Sequence, residues 1–231
     1  MKKIFLIALL FIGFASQGQS PMRMLAKHVS IFVPPTPIIY DNFETGSAVG
    51  WTLNGGTVNS YATFGIAAPT EGGTYGLQIT SPNSIKYSVT GSYTEVWMTG
   101  QFMSGATASI KTFCSEFSSS PGTSIAKINF SNDASPKIQV TSTPASSTYT
   151  GTTAFSASTW YKIKLRVVVS ATVGIIQVWV DAGVGYVLEI NQSGLNTGSN
   201  AINRLYGGSG SGSAGQTGYI DNIGFYTSNP D

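Results

Sequence analysis

The chain has 231 residues, with 12 Lys+Arg, 10 Asp+Glu, a formal charge of +2 and only 10% charged residues. A balance this close to neutral excludes nucleic-acid binding by a basic surface, and the shortage of Glu, Lys, Leu and Ala excludes a coiled coil or long helical bundle. The 30 Ser, 25 Thr and 27 Gly stand beside 12% aromatics, a composition that reads as all-β, with β-branched and aromatic strands broken by glycine-rich turns.

Residues 1–18 carry the three parts of an export signal. Lys2 and Lys3 form the positive end, Ile4 to Phe14 the apolar run, and Ser16 and Gly18 the small residues before Gln19. A membrane span needs roughly 20 apolar residues, so the run predicts a cleaved signal and a secreted protein, extracellular or periplasmic and bacterial, with no membrane span afterwards. No Cys lies near the cut, which excludes lipid attachment there. Residues 19–37 read as a connector containing Arg23, Lys27 and His28. Leu25, Val29 and Phe32 have helical spacing, but Pro34, Pro35 and Pro37 stop a helix. Four basic residues and no acidic ones precede Ile38, so the remainder is faintly acidic.

From Ile38 to Asp231 the pattern is strand after strand. Expected strands are Ile38–Glu44, Gly50–Leu53, Tyr75–Thr80, Ser84–Thr90, Tyr93–Met103, Ser109–Ser118 and Ser124–Ser131. They continue with Lys137–Thr143, Tyr149–Phe155, Trp160–Ser170, Gly174–Asp181, Tyr186–Asn191 and Gly218–Tyr226. Turn chemistry separates them at Asn54-Gly55-Gly56, Glu71-Gly72-Gly73, Ser120-Pro121-Gly122 and Asp133-Ala134-Ser135-Pro136. The sole cysteine, Cys114, reads as a small buried hydrophobe and has no partner for an internal disulfide. In Trp160–Asp181 apolar residues alternate with Lys162, Lys164 and Arg166, then with Gln177, Trp179 and Asp181. A four-residue loop sets a hairpin with Arg166 opposite Gln177, Lys164 opposite Trp179 and Lys162 opposite Asp181, all apolar residues on one face. So many short strands predict a two-sheet antiparallel β-sandwich.

Four segments together resemble the concanavalin A-like lectin/glucanase superfamily in its laminin-G-like, jelly-roll branch. They are Tyr40-Asp41-Asn42-Phe43-Glu44 with Gly50-Trp51, Thr74–Ile79, the Trp160–Leu165 strand followed by Gln177–Asp181, and Tyr219-Ile220-Asp221-Asn222-Ile223. Ala182 intervenes before Gly183 where the family has Asp-Gly. The resemblance implies the fold, and a range of activities that includes lectins, carbohydrate-binding modules, glycoside hydrolases, polysaccharide lyases and adhesive modules.

A retaining glycosidase needs two carboxylates roughly 5 Å apart, and the family's hydrolases place theirs together on one strand. Here Glu95 and Glu116 each stand alone, so Glu95 is only a weak catalytic candidate. The sole histidine, His28, lies in the connector, which removes a histidine base, a Ser–His–Asp triad and a His/Cys zinc site from the domain. Asp41, Glu44 and Asp221 form a candidate structural calcium set, because the terminal strands of such sandwiches pair and calcium takes several oxygen ligands. The Gly207–Gly215 run lacks the Lys-Ser/Thr and helix of a phosphate loop and reads as a surface loop.

Aromatics on polar faces make the case for binding, since a sugar's C–H face packs on a ring while its hydroxyls need polar neighbours. Trp179 stands among Lys164, Gln177 and Asp181, and Trp97 shares its strand face with Glu95 and Gln101. Trp97, Trp179, Glu95, Gln101, Lys164 and Gln177 are the candidate ligand set, whereas Trp51 and Trp160 read as core. The expected function is a secreted, non-catalytic, lectin-like module for a glycan or cell-surface polysaccharide, with no required cofactor. The alternatives are a lyase or hydrolase of the same fold, and a structural or adhesive surface or virion protein.

Overall fold

The computed structural model describes residues 35–105, 115–120, 123–131, 135–208 and 217–231, all within the unit Pro34–Asp231. The export signal, nearly all of the connector, Cys114, the start of the expected strand Ser109–Ser118, the side chain of Glu116 and most of the Gly207–Gly215 run lie outside the described residues. Among those residues the chain forms thirteen strands and one short helix. They are β1 Pro37–Asp41, β2 Thr52–Ser60, α1 Tyr61–Phe64, β3 Tyr75–Tyr93, β4 Glu95–Ser104, β5 Ser115–Ser120 and β6 Thr123–Phe130. The rest are β7 Lys137–Ser142, β8 Ser147–Ala154, β9 Trp160–Val168, β10 Gly174–Asp181, β11 Val187–Leu195, β12 Ile202–Gly207 and β13 Thr217–Tyr226.

The all-β, antiparallel expectation holds, but the division into two separate sheets does not. One hydrogen-bonded path runs β11-β10-β9-β4-β13-β3-β12-β5-β6-β7-β8, with β1 on β13 and β2 on β3. The cause is β3, which reads as two strands in sequence and is one in the structure. Its first part pairs with β13 from Thr80 to Leu77, and its second part pairs with β12 from Ile85 to Tyr93. β2 follows it from Tyr75 to Lys86, and its register shifts between Asn54 and Gly56. The expected turn at Asn54-Gly55-Gly56 is therefore a bulge inside a strand. Gly55, at φ +80°, supplies the left-handed backbone that lets β2 bend with its partner. β12 carries no strong alternation and stands where the sequence suggested no strand.

The β9–β10 hairpin has the expected register, with Arg166 opposite Gln177, Lys164 opposite Trp179 and Lys162 opposite Asp181. Ile163, Leu165, Val167, Ile176, Val178 and Val180 all face inward and are buried. β4 continues the face, with Val96, Met98 and Phe102 buried in the same core. Each such side chain contributes roughly 1.5–3 kcal/mol by leaving water. That weight holds the register, because a one-residue slip would turn the whole set outward.

The two ends of the path, β8 and β11, pack against each other. They are joined by a side chain rather than by a ladder. The Glu189 carboxylate on β11 accepts from Thr152 N (2.5 Å), Thr152 Oγ1 (2.8 Å), Thr153 N (3.1 Å) and Thr153 Oγ1 (2.5 Å) on β8. Gly151 permits the approach, since a Cβ there would come within 2.9 Å of Glu189 Oε2. Burial pushes the Glu189 pKa up, but the threonine hydrogen bonds outweigh it and hold the group below its ordinary value. Stability from this carboxylate is therefore present above the unfolded value of 4.5 and lost as pH falls through the lower folded one. Glu189→Gln is expected to cost about 2 kcal/mol in urea unfolding at neutral pH. The difference from wild type should close in acid. An equal cost at all pH values would show that charge plays no part in the seam.

Candidate functional site

The outward face of β13, β4, β9 and β10 carries the predicted ligand residues. Residues opposite one another in antiparallel strands share a face. One row runs Tyr226, Trp97, Arg166, Gln177 and Asn191, and the next runs Gly224, Thr99, Lys164, Trp179 and Leu188. Trp97 and Trp179 stack at 5.6 Å and 20°, so their rings meet each other. Trp97 is only 7% exposed. Arg166 lies over Trp97 at 5.3 Å, and Lys164 lies over both Trp179 (5.1 Å) and Tyr186 (4.7 Å).

Each cation of this face has a carboxylate. Glu95 Oε1 accepts from Arg166 Nε and from Trp97 Nε1, both at 2.9 Å. Arg166 Nη1 also donates to Gln177 Oε1 at 3.0 Å, and Gln177 Nε2 donates to Asn191 Oδ1 at 2.9 Å. Lys164 pairs with Asp231, and Lys162 with Glu71 at 2.6 Å. Burial lowers the Lys164 pKa. Glu95, Trp97, Lys164, Gln177 and Trp179 are thus brought together as a closed polar network.

The open space lies beside that network. A cleft of about 380 Å³ runs over Thr99 and Gly100 between Tyr40, Tyr186 and Tyr226, with Asn222 at its edge. A second cleft of about 210 Å³ is lined by Pro69, Thr70, Trp160, Tyr161 and Asp181. Gln101 and Lys162 line both. Gln101 is 4% exposed, and its Oε1 has no hydrogen-bond partner. An unpaired buried amide oxygen costs about 1–3 kcal/mol, and Gln101, which lines both clefts, carries this one just beneath their shared floor. Tyr40 (47%) and Tyr186 (36%) offer exposed ring surface beside it.

Asp181 shapes the loop that holds Tyr186. Its Oδ1 accepts from the backbone N–H groups of Gly183, Val184 and Gly185 at 2.7, 3.0 and 2.9 Å. Burial pushes its pKa up, but these amides and Lys162 prevail and hold it low. Burial, with the charges of Asp181 and Glu71, pushes the Tyr186 hydroxyl up to about 12. Tyr186 is therefore a neutral ring at ordinary pH. Trp160, read as core in sequence, is half-buried instead. Its Nε1 donates to Ala67 O at 2.8 Å and its ring borders the second cleft.

The candidate calcium residues meet at a junction. β1 and the start of β3 lie end to end along β13, from Ile223 and up to Ile220 respectively, leaving Asp221 and Asn222 between them at a bulge. Asp221 is fully buried and accepts from Tyr61 Oη and Asn222 N, both at 2.7 Å. Asp41 Oδ1 accepts from Phe43 N at 2.7 Å, and its Oδ2 has no partner. Glu44 accepts from Thr74 N and Tyr75 N. Among the described residues no group of three or more His, Cys, Asp or Glu side chains is arranged to hold a metal ion. Glu44 and Asp221 serve as acceptors that pin the 61–75 segment over the end of the sheet, and Asp41 holds the turn after β1.

No protein-family model matches the sequence, and no curated protein matches it either. Solved structures do share the fold. The carbohydrate esterase vb_24B_21 of Shiga toxin-encoding bacteriophage phi24B is similar over 84% of this chain and 100% of its own, at TM-score 0.55 and 16% identity. The CBM2 module of the evolved Dit of Lactobacillus casei BL23 phage J-1 is similar over 85% and 98%, at 0.51 and 12%. The exoplasmic/lumenal domain of VIP36 in its Ca²⁺-bound form is similar over 84% and 90%, at 0.51 and 12%.

Tyr40, Glu71, Tyr186, Asn222 and Tyr226 join the site although the sequence pattern gives none of them a binding role. Gln101 is legible in the sequence as a ligand candidate, and Lys162 through its place opposite Asp181. The junction makes a pH prediction. Burial raises the Asp221 pKa to about 6, helped by Glu44 and Asp41 and opposed by Tyr61 and Asn222. As pH rises from 3.8 to about 6 the unfolded chain ionises first, so this group subtracts stability across that window. The melting temperature of Asp221→Asn, relative to wild type, should therefore climb between those values. A flat difference would place Asp221 in an ordinary polar environment.

Proposed function

We propose that the protein is an exported, non-catalytic glycan-binding module of the concanavalin A-like lectin/glucanase type, with its sugar held in the groove over Gln101. The observation that carries this reading is the buried, unpartnered Gln101 Oε1, on the floor shared by two clefts with tyrosine and tryptophan walls. A sugar hydroxyl donates to such an acceptor, while its C–H face packs on Tyr186 or Tyr40. The two clefts hold neighbouring residues of one glycan, with Lys162 and Glu71 between them. The fold shared with a carbohydrate esterase and a CBM2 module is consistent with this.

Paired charge favours neutral sugars. Lys162, Lys164 and Arg166 each have a carboxylate partner, which leaves them no surplus charge for a uronate or sulfate. The 1–18 leader directs the module outside the cytoplasm of a bacterium, where such glycans are met. Asp41, Glu44 and Asp221 line neither cleft, so sugar binding is expected to be independent of calcium.

A glycan array with calorimetry on the purified protein tests this. Neutral oligosaccharides are expected to bind, with affinity indifferent to chelator and little changed by high salt. Gln101→Leu should weaken binding about tenfold, the loss of one buried hydrogen bond. Tyr186→Ala should weaken it without lowering the melting temperature by a comparable margin. Release of new reducing ends, or selective binding of polyanions, would overturn the reading.

A further inference from the structure

We propose that the opposite end of the β9–β10 hairpin carries a second, separate site for a residue of a neutral glycan. The groove described above lies at the Lys162–Asp181 end of this hairpin. From Lys162 to Val168 the strand runs roughly 20 Å at about 3.3 Å per residue. Past that point lies a pocket of about 530 Å³ that shares no lining residue with the groove.

The pocket's chemistry selects its occupant. Among the described residues no charged side chain lines it. Ser119 is 9% exposed, and its Oγ and that of Ser124 are both buried without a hydrogen-bond partner. Thr143, Ser199 and Asn200 add further polar groups, and Ile125, Pro144 and Ala171 supply an apolar wall. An ion would find no countercharge, and an apolar ligand would leave both serine hydroxyls unpaired in a dry site, an unfavourable outcome. A sugar residue meets both demands, with hydroxyls for the serines and a C–H face for the apolar wall.

The pocket is also built in advance. Thr197, fully buried, rivets the 196–200 segment to the end of β9. Its N–H donates to Ser170 O at 2.8 Å, its Oγ1 donates to Val168 O at 2.8 Å, and that Oγ1 accepts from Ser170 N at 2.8 Å. On the facing wall Thr143 N donates to Ile125 O, and Ser146 N to Thr143 O. Little ordering cost therefore remains at binding. Two sites at opposite ends of one hairpin make the module bivalent, able to bridge two glycan chains or grip one long chain twice.

Backbone-amide NMR on the full chain tests this, with maltopentaose, cellopentaose and xylopentaose as neutral probes and an alginate oligosaccharide as the anionic one. At least one neutral probe should shift the amides of Ser119, Ser124, Thr143 and Asn200. Ala171→Trp, which fills the pocket from an exposed position, should abolish those shifts and spare any around Gln101. Ser124→Ala, which removes only the hydroxyl, should weaken the response about tenfold and guards against a misfolded Trp variant. Gln101→Leu should leave the loop-end response unchanged, so failure of the groove and failure of this pocket are read separately. Absence of shifts with every neutral probe, their persistence in Ala171→Trp, or a response to alginate alone would overturn the proposal.

Discussion

Strict alternation on β4, β9 and β10 is a constraint with two faces. Met98, Leu165 and Val178 must point into the core, because turning them out would forfeit several kcal/mol. Their neighbours Trp97, Lys164 and Trp179 are then obliged to stand on the other side. That second side is not left to water. Tyr186, the 61–75 segment and Pro230–Asp231 pack over it, so that Lys164 and Gln101 are only 5% and 4% exposed. The sheet is covered on both faces, and the polar groups caught under the outer cover must pair. The three cations do so with Glu71, Glu95 and Asp231. The Gln101 oxygen does not. The candidate site is where this pairing is left incomplete.

The covered face is held at its edges by carboxylates that accept several N–H or O–H groups each. Asp181 gathers three backbone amides and fixes the loop that presents Tyr186. Asp221 takes the Tyr61 hydroxyl at the break between β1 and β3. Glu189 clasps Thr152 and Thr153 where the ladder stops. In a chain so poor in charge, these carboxylates organise loops and seams. The same economy leaves a groove with no net field, suited to a neutral, hydroxyl-rich ligand.

Much of this was legible in the sequence where period-two alternation was strong. The Trp160–Asp181 hairpin has the register its pattern demands, with Trp179 opposite Lys164. Legibility failed where geometry depends on partners distant in the chain. Asn54-Gly55-Gly56 has the chemistry of a turn, and only the bend of β3 beside it makes it a bulge. β3 itself reads as two strands, because Ser81-Pro82-Asn83 looks like a break. Each tryptophan reads separately as an aromatic on a polar strand face, but their stacking on each other is a diagonal contact between β4 and β10 that no local pattern encodes. Tyr40, Tyr186 and Tyr226 come from a first strand, a loop and a last strand, and meet only through the pairing of β1 with β13.

The central claim is that the Gln101 carboxamide oxygen is the acceptor for a sugar hydroxyl. A crystal structure of the protein soaked with a neutral oligosaccharide examines it directly. The expected result is a sugar ring beside Tyr186 or Tyr40 with one hydroxyl within hydrogen-bond distance of Gln101 Oε1. A groove closed by a protein donor to that oxygen, with the oligosaccharide bound elsewhere or not at all, would contradict the account.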